Sequence, residues 1–220
     1  MGFSYVGYNC ASISGRRVLG KALVRLLSAE VTKRDGWFKL KAAVIVIDMI
    51  NDFVTGVFKS DRPKRIVPNI KALLGHARKQ RALVIYATDA HLPGVDPEFD
   101  LFGKHAEAGS WGAEIIDELK PEKGDFRVLK RKYSAFQGTD LDQMLRELKV
   151  DTVVLTGVVT DICIQHTAAD AFFRGYKIII PKDCVEAADV ATQESALKFM
   201  KKVYRPQITT STELLRRKWA

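Results

Sequence analysis

The stretch Ala42-Ala43-Val44-Ile45-Val46-Ile47, directly followed by Asp48, is the first of several short, largely apolar runs in the chain. Comparable runs lie at residues 82–87, 126–129 and 152–156. Continuous runs of this length are typical of strands that are buried on both faces of a parallel sheet. Helical patterns separate the runs, as the crossover connections between parallel strands require. The sequence therefore predicts a single α/β domain with a Rossmann-like, doubly wound, mainly parallel sheet and helices on both faces.

The remaining elements continue this alternation. Helices are predicted at residues 68–80, 112–119, 139–148, 161–173 and 190–202, and two further strands at residues 177–180 and 207–210. The longest gap between elements, residues 90–110, is rich in Pro, Gly, Asp and His. Loops of this length inside a compact domain are usually functional, so we expect part of the site there.

Composition and charge narrow the class of protein. The chain has 220 residues, 47% of them hydrophobic, and no apolar stretch approaches the roughly 18 residues of a membrane span. Of the net charge of +9, six charges lie in residues 1–41, so the rest of the chain shows no basic face for nucleic acid. Three cysteines without a Cys-x-x-Cys unit favour free thiols in a reducing compartment. We predict a cytoplasmic protein with neither a membrane nor a nucleic-acid partner.

Residues 1–40 do not share the alternation of strands and helices. We interpret them as a basic N-terminal extension to a domain at residues 41–220. Apolar residues recur at helical spacing between Val18 and Leu27, with basic residues among them, which indicates a short amphipathic helix. The same composition leaves open a misassigned start, a disordered tail, a docking helix or a targeting segment.

Reactive side chains follow the strand ends, at the edge where open parallel sheets bind ligands. Asp48 and Lys130 come directly after two of the apolar runs, and Cys163 follows the Gly157 turn after another. A helix that begins near Thr160 would hold Cys163 in its first turn, where backbone N–H groups favour the thiolate. Asp48 would carry the thiol proton to a leaving amine, and Lys130 would balance the charge. These three residues are the predicted catalytic group.

Each of these residue types also has an ordinary structural interpretation. A cysteine in an apolar segment is commonly an inert core residue, which is our interpretation of Cys10 and Cys184. The aspartate could form a turn, and the lysine could belong to a solvated basic run. His166, three residues after Cys163, could instead pair with the thiol, but such a pair would lie along the helix surface.

A second group of polar residues lies at the start of the long loop. Asp89-Ala90-His91 is followed by His105, and one carboxylate with two imidazoles leaves positions open for water, as a catalytic divalent ion requires. The Asp-x-His spacing alone is a weak signal, and a turn-forming aspartate is the alternative. The presence of two of only four histidines in one loop favours a metal site.

Longer motifs in the chain resemble those of a known family. They are Val46-Ile47-Asp48-Met49-Ile50-Asn51-Asp52-Phe53, Thr88-Asp89-Ala90-His91, the segment from Lys104 to Glu114, Lys130-Arg131-Lys132-Tyr133-Ser134-Ala135-Phe136, and the segment from Thr156 to Cys163. Over about residues 42–210, the chain is similar to the isochorismatase-like cysteine hydrolases, which include nicotinamidases and N-carbamoylsarcosine amidases. Because these motifs are together highly specific, we interpret residues 41–220 as an isochorismatase-like hydrolase domain.

The resemblance implies a catalytic triad and a site for the substrate oxygen. The family's Asp-Lys-Cys triad maps onto Asp48, Lys130 and Cys163. A cis peptide would join Val158 and Val159, a conformation that is rare outside proline. The N–H groups of Val159 and Cys163 would then form an oxyanion hole.

The resemblance to nicotinamidases further implies one divalent metal ion, with zinc favoured over iron or manganese. Its ligands would be Asp89, His91 and His105. The expected substrate is nicotinamide, which would be hydrolysed to nicotinate and ammonia through a thioester. Phe53 and Phe102 would stack on the pyridine ring, although both could equally belong to the core.

Some positions depart from the nicotinamidase pattern. Ala90 stands where nicotinamidases typically have Trp, and residues 96–99 and 109–112 look more like the broader amidases, some of which cleave ureido groups without a metal. The alternative function is therefore an N-carbamoyl or ureido amidase without a catalytic metal. A non-catalytic binding protein on the same fold is a further alternative. We expect the partners to be a small amide substrate and other copies of the chain, in a homo-oligomer.

Overall fold

The structure is a computed structural model, and it describes residues 41–219. The predicted basic extension at residues 1–40 and its amphipathic helix lie outside the described residues. Within residues 41–219, no helix combines the length and the apolar character needed to cross a membrane.

Seven strands of the described chain form one sheet. They are β1 (Ala42–Ile47), β2 (Leu83–Asp89), β3 (Phe126–Lys130), β4 (Thr152–Val158), β5 (Lys177–Pro181), β6 (Val185–Glu186) and β7 (Gln207–Thr209). The order is β3-β2-β1-β4-β5-β7, with β6 beside β4, and all of these pairings are parallel. The direction of winding reverses between β1 and β4, where sheets of this type form a ligand crevice. The predicted doubly wound α/β fold is confirmed.

Helices and short helical turns connect the strands. The α-helices of the described residues are α1 (Asn51–Val54), α2 (Asp61–Lys79), α3 (Glu98–Phe102), α4 (Leu141–Glu147), α5 (Gln165–Phe173), α6 (Val190–Val203) and α7 (Ser211–Leu215). Two 3₁₀ turns, Trp111–Ala113 and Asp117–Leu119, lie before β3, and a π-helical turn, Thr160–Ile164, follows β4.

Strand β1 separates two hydrophobic cores, one on each face of the sheet. The side that bears Val44 packs with α2, and the side that bears Ile45 packs with α4, α5 and α6. Both side chains are fully buried. The unbroken apolar sequence of β1 follows from this burial on both faces.

The helix predicted at residues 68–80 begins earlier than expected, at Asp61. The Ser60 side chain caps this start by accepting the Arg62 N–H at 3.2 Å. Pro68, which we took as the first residue, lies inside the helix. The serine cap was therefore the better signal for the start than the proline.

The prediction of one helix at residues 112–119 is wrong, because this stretch forms the two 3₁₀ turns. Its backbone groups bond to the segment that follows β1. The Glu114 carbonyl accepts the Asn51 N–H at 2.9 Å, and the Ile116 N–H donates to the Met49 carbonyl at 3.1 Å. Groups that bond to a distant segment are not available for an i to i−4 ladder.

Candidate active site

Strand ends bring three polar side chains to the crevice. Asp48 directly follows β1, while Asp89 and Lys130 end β2 and β3 and are register partners in that parallel pair. Asp48 has a left-handed backbone, with φ 53°, and its N–H donates to the Ala87 carbonyl at 3.0 Å. Its carboxylate accepts the Asp89 N–H at 2.8 Å. Both the backbone and the side chain of Asp48 are thus fixed against β2.

Lys130 is the centre of the predicted catalytic group. Its Nζ lies 2.7 Å from Asp48 Oδ2, 2.6 Å from Asp89 Oδ1 and 3.7 Å from Cys163 Sγ. All four side chains are buried. One ammonium group therefore contacts two carboxylates and a thiol in a site that is shielded from water. The structure brings the three predicted triad residues together and adds Asp89, which the sequence assigned only to the metal site.

The charges in this group drive the pKa values of the two carboxylates apart. Burial and the charge of Asp89 raise the pKa of Asp48 to about 7, although Lys130 opposes the rise. Burial acts to raise the pKa of Asp89 as well, but Lys130 and His91 together outweigh burial and lower that pKa. Burial alone would lower the pKa of Lys130, but the two carboxylates raise it well above its usual value. Asp89 and Lys130 are thus fixed charges, whereas Asp48 can exchange a proton near neutral pH.

The end of β4, which leads to Cys163, needs a glycine, so the predicted Gly157 turn is part of the strand. Gly157 has φ 109°, and a Cβ atom there would lie 1.9 Å from the Ile47 carbonyl oxygen. The Val158–Val159 peptide is cis, as the family resemblance implies. The chain then enters the π-helical turn Thr160–Ile164, which contains Cys163. Single π-helical turns are frequent at functional sites.

The expectation that helix position favours a Cys163 thiolate is wrong for the resting site. Burial raises the pKa of Cys163 well above its usual value, with a further contribution from the nearby carboxylates, and the Lys130 charge only partly opposes this rise. A carboxylate oxygen of Asp48 lies within 4.8 Å of the Cys163 sulfur. Cys163 therefore rests as a thiol with a proton acceptor beside it.

The predicted oxyanion hole lies in the same turn. The carbonyl of Val159 accepts the N–H groups of Ile162 and Ile164, both at 3.2 Å, which fixes the start of the turn. Val159 and Cys163 both line the cavity described below. The use of their N–H groups for a substrate oxygen stays a prediction.

The alternative pairing of His166 with Cys163 is not formed. His166 Nδ1 donates to the Ile162 carbonyl at 2.7 Å, and the ring packs against Tyr133 with centroids 5.3 Å apart. The ring therefore lies along the helix surface, as side-chain direction in helices requires. Of the other cysteines, Cys184 is fully buried and Cys10 lies outside the described residues.

The predicted metal ligands lie together, and Glu98 joins them. Ligand atoms of Asp89, His91, Glu98 and His105, all buried, lie within 4.8 Å of one another. Glu98 is the first residue of α3, a short helix inside the loop for which the sequence predicted no structure. Its sequence context, residues 96–99, pointed toward the broader amidases instead. The sequence analysis therefore missed this fourth candidate ligand.

The polar atoms of this cluster fit a divalent ion. Both ring nitrogens of His91 are buried without a hydrogen-bond partner among the described residues, which costs free energy that a bound ion would offset. His105 donates from Nδ1 to the Gly103 carbonyl at 2.7 Å, which leaves its Nε2 lone pair available. Two imidazoles with two carboxylates suit zinc, iron or manganese.

A cavity of about 430 Å³ connects the thiol with this cluster. Cys163, Asp89, Glu98 and His105 all line it. Its aromatic side chains are Phe53, Phe58, Phe102 and Tyr133. Phe53 and Phe102 were predicted. Phe58 and Tyr133 were missed, because isolated aromatic residues in loops follow no periodic pattern. A cavity of this size with aromatic walls suits a small planar molecule.

Comparisons with known proteins agree with this geometry. The Isochorismatase domain matches residues 42–212. The N-carbamoylsarcosine amidase structure from Thermoplasma acidophilum is 37% identical, with a TM-score of 0.74 over 78% of this chain and 97% of that one. The pyrazinamidase/nicotinamidase structure from Streptococcus mutans is 36% identical, with a TM-score of 0.72 over 76% and 99%. A pyrazinamidase from Pyrococcus horikoshii in complex with zinc is 28% identical, with a TM-score of 0.71 over 77% and 99%. The chain therefore belongs to the isochorismatase-like cysteine hydrolase family.

Proposed function

We propose that the protein is a cysteine amidohydrolase that converts nicotinamide to nicotinate and ammonia. The observation that carries this proposal is a single cavity into which both the Cys163 thiol and the ligand cluster open. Nicotinamide needs a nucleophile at its amide and a polar or ligating group at its pyridine nitrogen. The cavity offers both, and its aromatic walls suit the ring between them.

In the first step, the sulfur of Cys163 attacks the amide carbon while Asp48 takes the thiol proton. Because burial raises the pKa of Cys163, the proton leaves as the S–C bond forms rather than before it. The N–H groups of Val159 and Cys163 would stabilise the resulting oxyanion. Asp48 then gives its proton to the amide nitrogen, the C–N bond breaks, and ammonia leaves a thioester behind.

In the second step, water attacks the thioester carbon while Asp48, ionised again, accepts a proton from it. The intermediate collapses by breaking the S–C bond, which releases the carboxylic acid, and the sulfur recovers its proton from Asp48. Lys130 stays protonated throughout, because the two carboxylates raise its pKa. Its charge offsets that of Asp89 and of Asp48 in its ionised form.

Asp89, His91, Glu98 and His105 would hold a divalent ion. Such an ion supplies a Lewis acid for the pyridine nitrogen, and this contact would orient the amide toward the thiol. Asp89 would serve both halves of the site. Its Oδ1 lies 2.6 Å from Lys130 Nζ, and its Oδ2 lies 3.6 Å from His91 Nε2.

Asp48→Asn should lower kcat by roughly 10²- to 10⁴-fold, because an amide cannot carry the proton between sulfur, nitrogen and water. Steady-state ammonia release gives kcat and KM. Asp61→Asn, at an exposed position of α2, is the matched control and should behave like the wild-type protein. A kcat of Asp48→Asn near the wild-type value would remove Asp48 from proton transfer.

His105→Ala should lose both the bound ion and nicotinamide turnover, because it removes a ligand whose Nε2 is free to bind. Elemental analysis after zinc reconstitution and dialysis measures the first effect, and ammonia release measures the second. His166→Ala, on the helix surface, is the control and should retain both. Full turnover by a His105→Ala protein that holds no metal would show that the cluster has no part in the reaction.

An N-carbamoyl or ureido amidase is the second candidate, and Lys59 favours it. The exposed Lys59 lines the cavity, where its ammonium group could bind a substrate carboxylate. Nicotinamide has no carboxylate to pair with it. The similarity to an N-carbamoylsarcosine amidase points in the same direction.

Ammonia release from a panel of amides, with and without a chelator, distinguishes these functions. The panel contains nicotinamide, pyrazinamide and N-carbamoylsarcosine. Preferred turnover of nicotinamide that a chelator abolishes would support the proposal. Turnover of N-carbamoylsarcosine alone, unchanged by the chelator, would replace the proposal with the second candidate. No ammonia release from any amide would favour a non-catalytic binding protein on this fold.

A further inference from the structure

Two consecutive basic residues hold two different carboxylates of the site. Lys130, the last residue of β3, contacts Asp89, and the next residue, Arg131, forms a bidentate pair with Asp96. Arg131 Nε lies 2.9 Å from Asp96 Oδ2, and Nη2 lies 2.8 Å from Oδ1. Two-point pairing with a planar guanidinium fixes the orientation of a carboxylate as well as balancing its charge.

Asp96 is a buried anion with contacts from several sides. Its side chain has no exposed surface. Apart from the Arg131 pair, its Oδ2 accepts the Leu92 N–H at 2.7 Å and lies 3.5 Å from His91 Nδ1. Lys132 Nζ lies 4.0 Å from Oδ1. The Arg131 guanidinium balances the charge of this carboxylate, which faces His91.

The two ring nitrogens of His91 face different groups. Nδ1 faces Asp96 at 3.5 Å, slightly beyond the length of a formed hydrogen bond. Nε2 faces the ligand cluster, with Asp89 Oδ2 at 3.6 Å and Glu98 Oε2 at 3.7 Å. Carboxylates therefore face both nitrogens, but an ion bound at Nε2 leaves the single N–H of a neutral imidazole at Nδ1, where Asp96 is the facing carboxylate. The Nε2 lone pair is then directed at the cluster.

The rest of the His91 environment holds the ring next to Asp96. The backbone of His91 is fixed, since its N–H donates to the Ala106 carbonyl and its carbonyl accepts the Ala108 N–H, both at 2.9 Å. The ring packs edge-on against Phe99 and His105, with centroids 5.6 and 4.9 Å away. These contacts hold the ring in place but do not distinguish its two nitrogens.

We propose that Asp96, held by Arg131, is a positioning residue that fixes the Nδ1–H tautomer of His91 and so strengthens zinc binding by the cluster. Carboxylates that accept the second N–H of a metal-binding histidine act in this way in metal sites generally. The inference rests on the metal site of the proposed function, but not on nicotinamide as the substrate.

The neighbourhood of Asp96 provides a matched set of variants. Asp96→Asn keeps the size of the side chain and can still accept the Leu92 N–H, but it removes the charge. Arg131→Met leaves Asp96 in place without its guanidinium partner, and Arg131→Lys returns a charge without the bidentate geometry. Lys132→Met is the control, because Lys132 is half exposed and only at the edge of ion-pair distance.

Zinc affinity, measured by competition with a chromophoric chelator, is the primary readout. Asp96→Asn should bind zinc about 10- to 100-fold more weakly. Arg131→Met should shift the affinity in the same direction, Arg131→Lys should recover part of it, and Lys132→Met should match the wild-type protein. Thermal unfolding of the metal-free proteins verifies that the fold is kept. Imidazole ¹⁵N spectra of the zinc-bound proteins should show an Nδ1–H at His91 that is hydrogen-bonded to a carboxylate in the wild-type protein, and a weaker hydrogen bond from it in Asp96→Asn.

Unchanged zinc affinity in Asp96→Asn, or binding of zinc through Nδ1 of His91 in the wild-type protein, would overturn the inference. If Asp96→Asn does not fold, the zinc affinity and the ¹⁵N spectra of Arg131→Met test the inference instead. This variant keeps the hydrogen bond from the Leu92 N–H to Asp96. A wild-type protein that binds no zinc would also overturn it. Zinc binding without nicotinamide turnover would instead remove the proposed substrate and leave the role of Asp96 intact.

Discussion

Replacing Cys163 with alanine is expected to lower kcat for amide hydrolysis by about 10⁴-fold or more, because the thioester cannot form without the sulfur. The Sγ atom lies 3.7 Å from Lys130 Nζ, and Cys163 lines the cavity. Its side chain is small and lies at the cavity wall, so its loss should leave the fold intact. Steady-state ammonia release measures the effect, and circular dichroism verifies the fold.

The matched control is Cys184→Ala. Cys184 is fully buried in the core that β1 and α2 share, so this change should cost some stability and leave turnover unaffected. Mass spectrometry of rapidly quenched reactions should find the acyl adduct on Cys163 in the wild-type protein. An adduct on Cys184, or near wild-type turnover by Cys163→Ala, would contradict the assignment of the nucleophile.

The central strands of the sheet, such as β1 and β4, were predictable because they are buried on both faces. Such a strand has to be apolar throughout, so the run that contains Val44 and Ile45 identifies β1 without further information. Residues 112–119 were not predictable in this way. Their backbone bonds to residues 49–51, which are distant in sequence, and no local pattern reports such a partner.

The members of the site were easier to predict than their protonation states. Strand-end position located Asp48, Lys130 and Cys163, because the carboxyl ends of parallel strands share one edge of the sheet. The position of Cys163 near the start of a helix suggested a thiolate. Burial, which depends on segments that are far apart in the chain, reverses this expectation by raising the pKa of Cys163. Glu98 was missed because the five residues of α3 are too few for a helical period.

Asp89 connects the predicted catalytic group with the candidate metal site. One oxygen contacts Lys130 and the other faces His91. A single carboxylate that serves both groups couples them, since its charge and orientation cannot be adjusted for one group without affecting the other. Lys130 is therefore also a structural counter-ion for two buried acids.

Lys130→Met should abolish turnover and also lower the free energy of unfolding by about 3–5 kcal/mol, because removing one partner of a buried ion pair leaves uncompensated charge. Its Nζ lies within 2.7 Å of both Asp48 and Asp89, and the Lys130 side chain is fully buried. Denaturant unfolding gives the free energy. Lys132→Met is the control: its side chain is about half exposed, so we expect little change.

The double variant Lys130→Met/Asp48→Asn separates lost charge balance from lost packing. If the cost comes from the unpaired carboxylates, neutralising Asp48 should return part of the stability while turnover stays absent. If it comes from poor packing of methionine, the second change should bring no recovery. A Lys130→Met protein as stable as the wild type would mean that the site tolerates both carboxylates without their counter-ion, as it could if Asp48 were already protonated. The role assigned to Lys130 as a counter-ion that stabilises the fold would then be wrong.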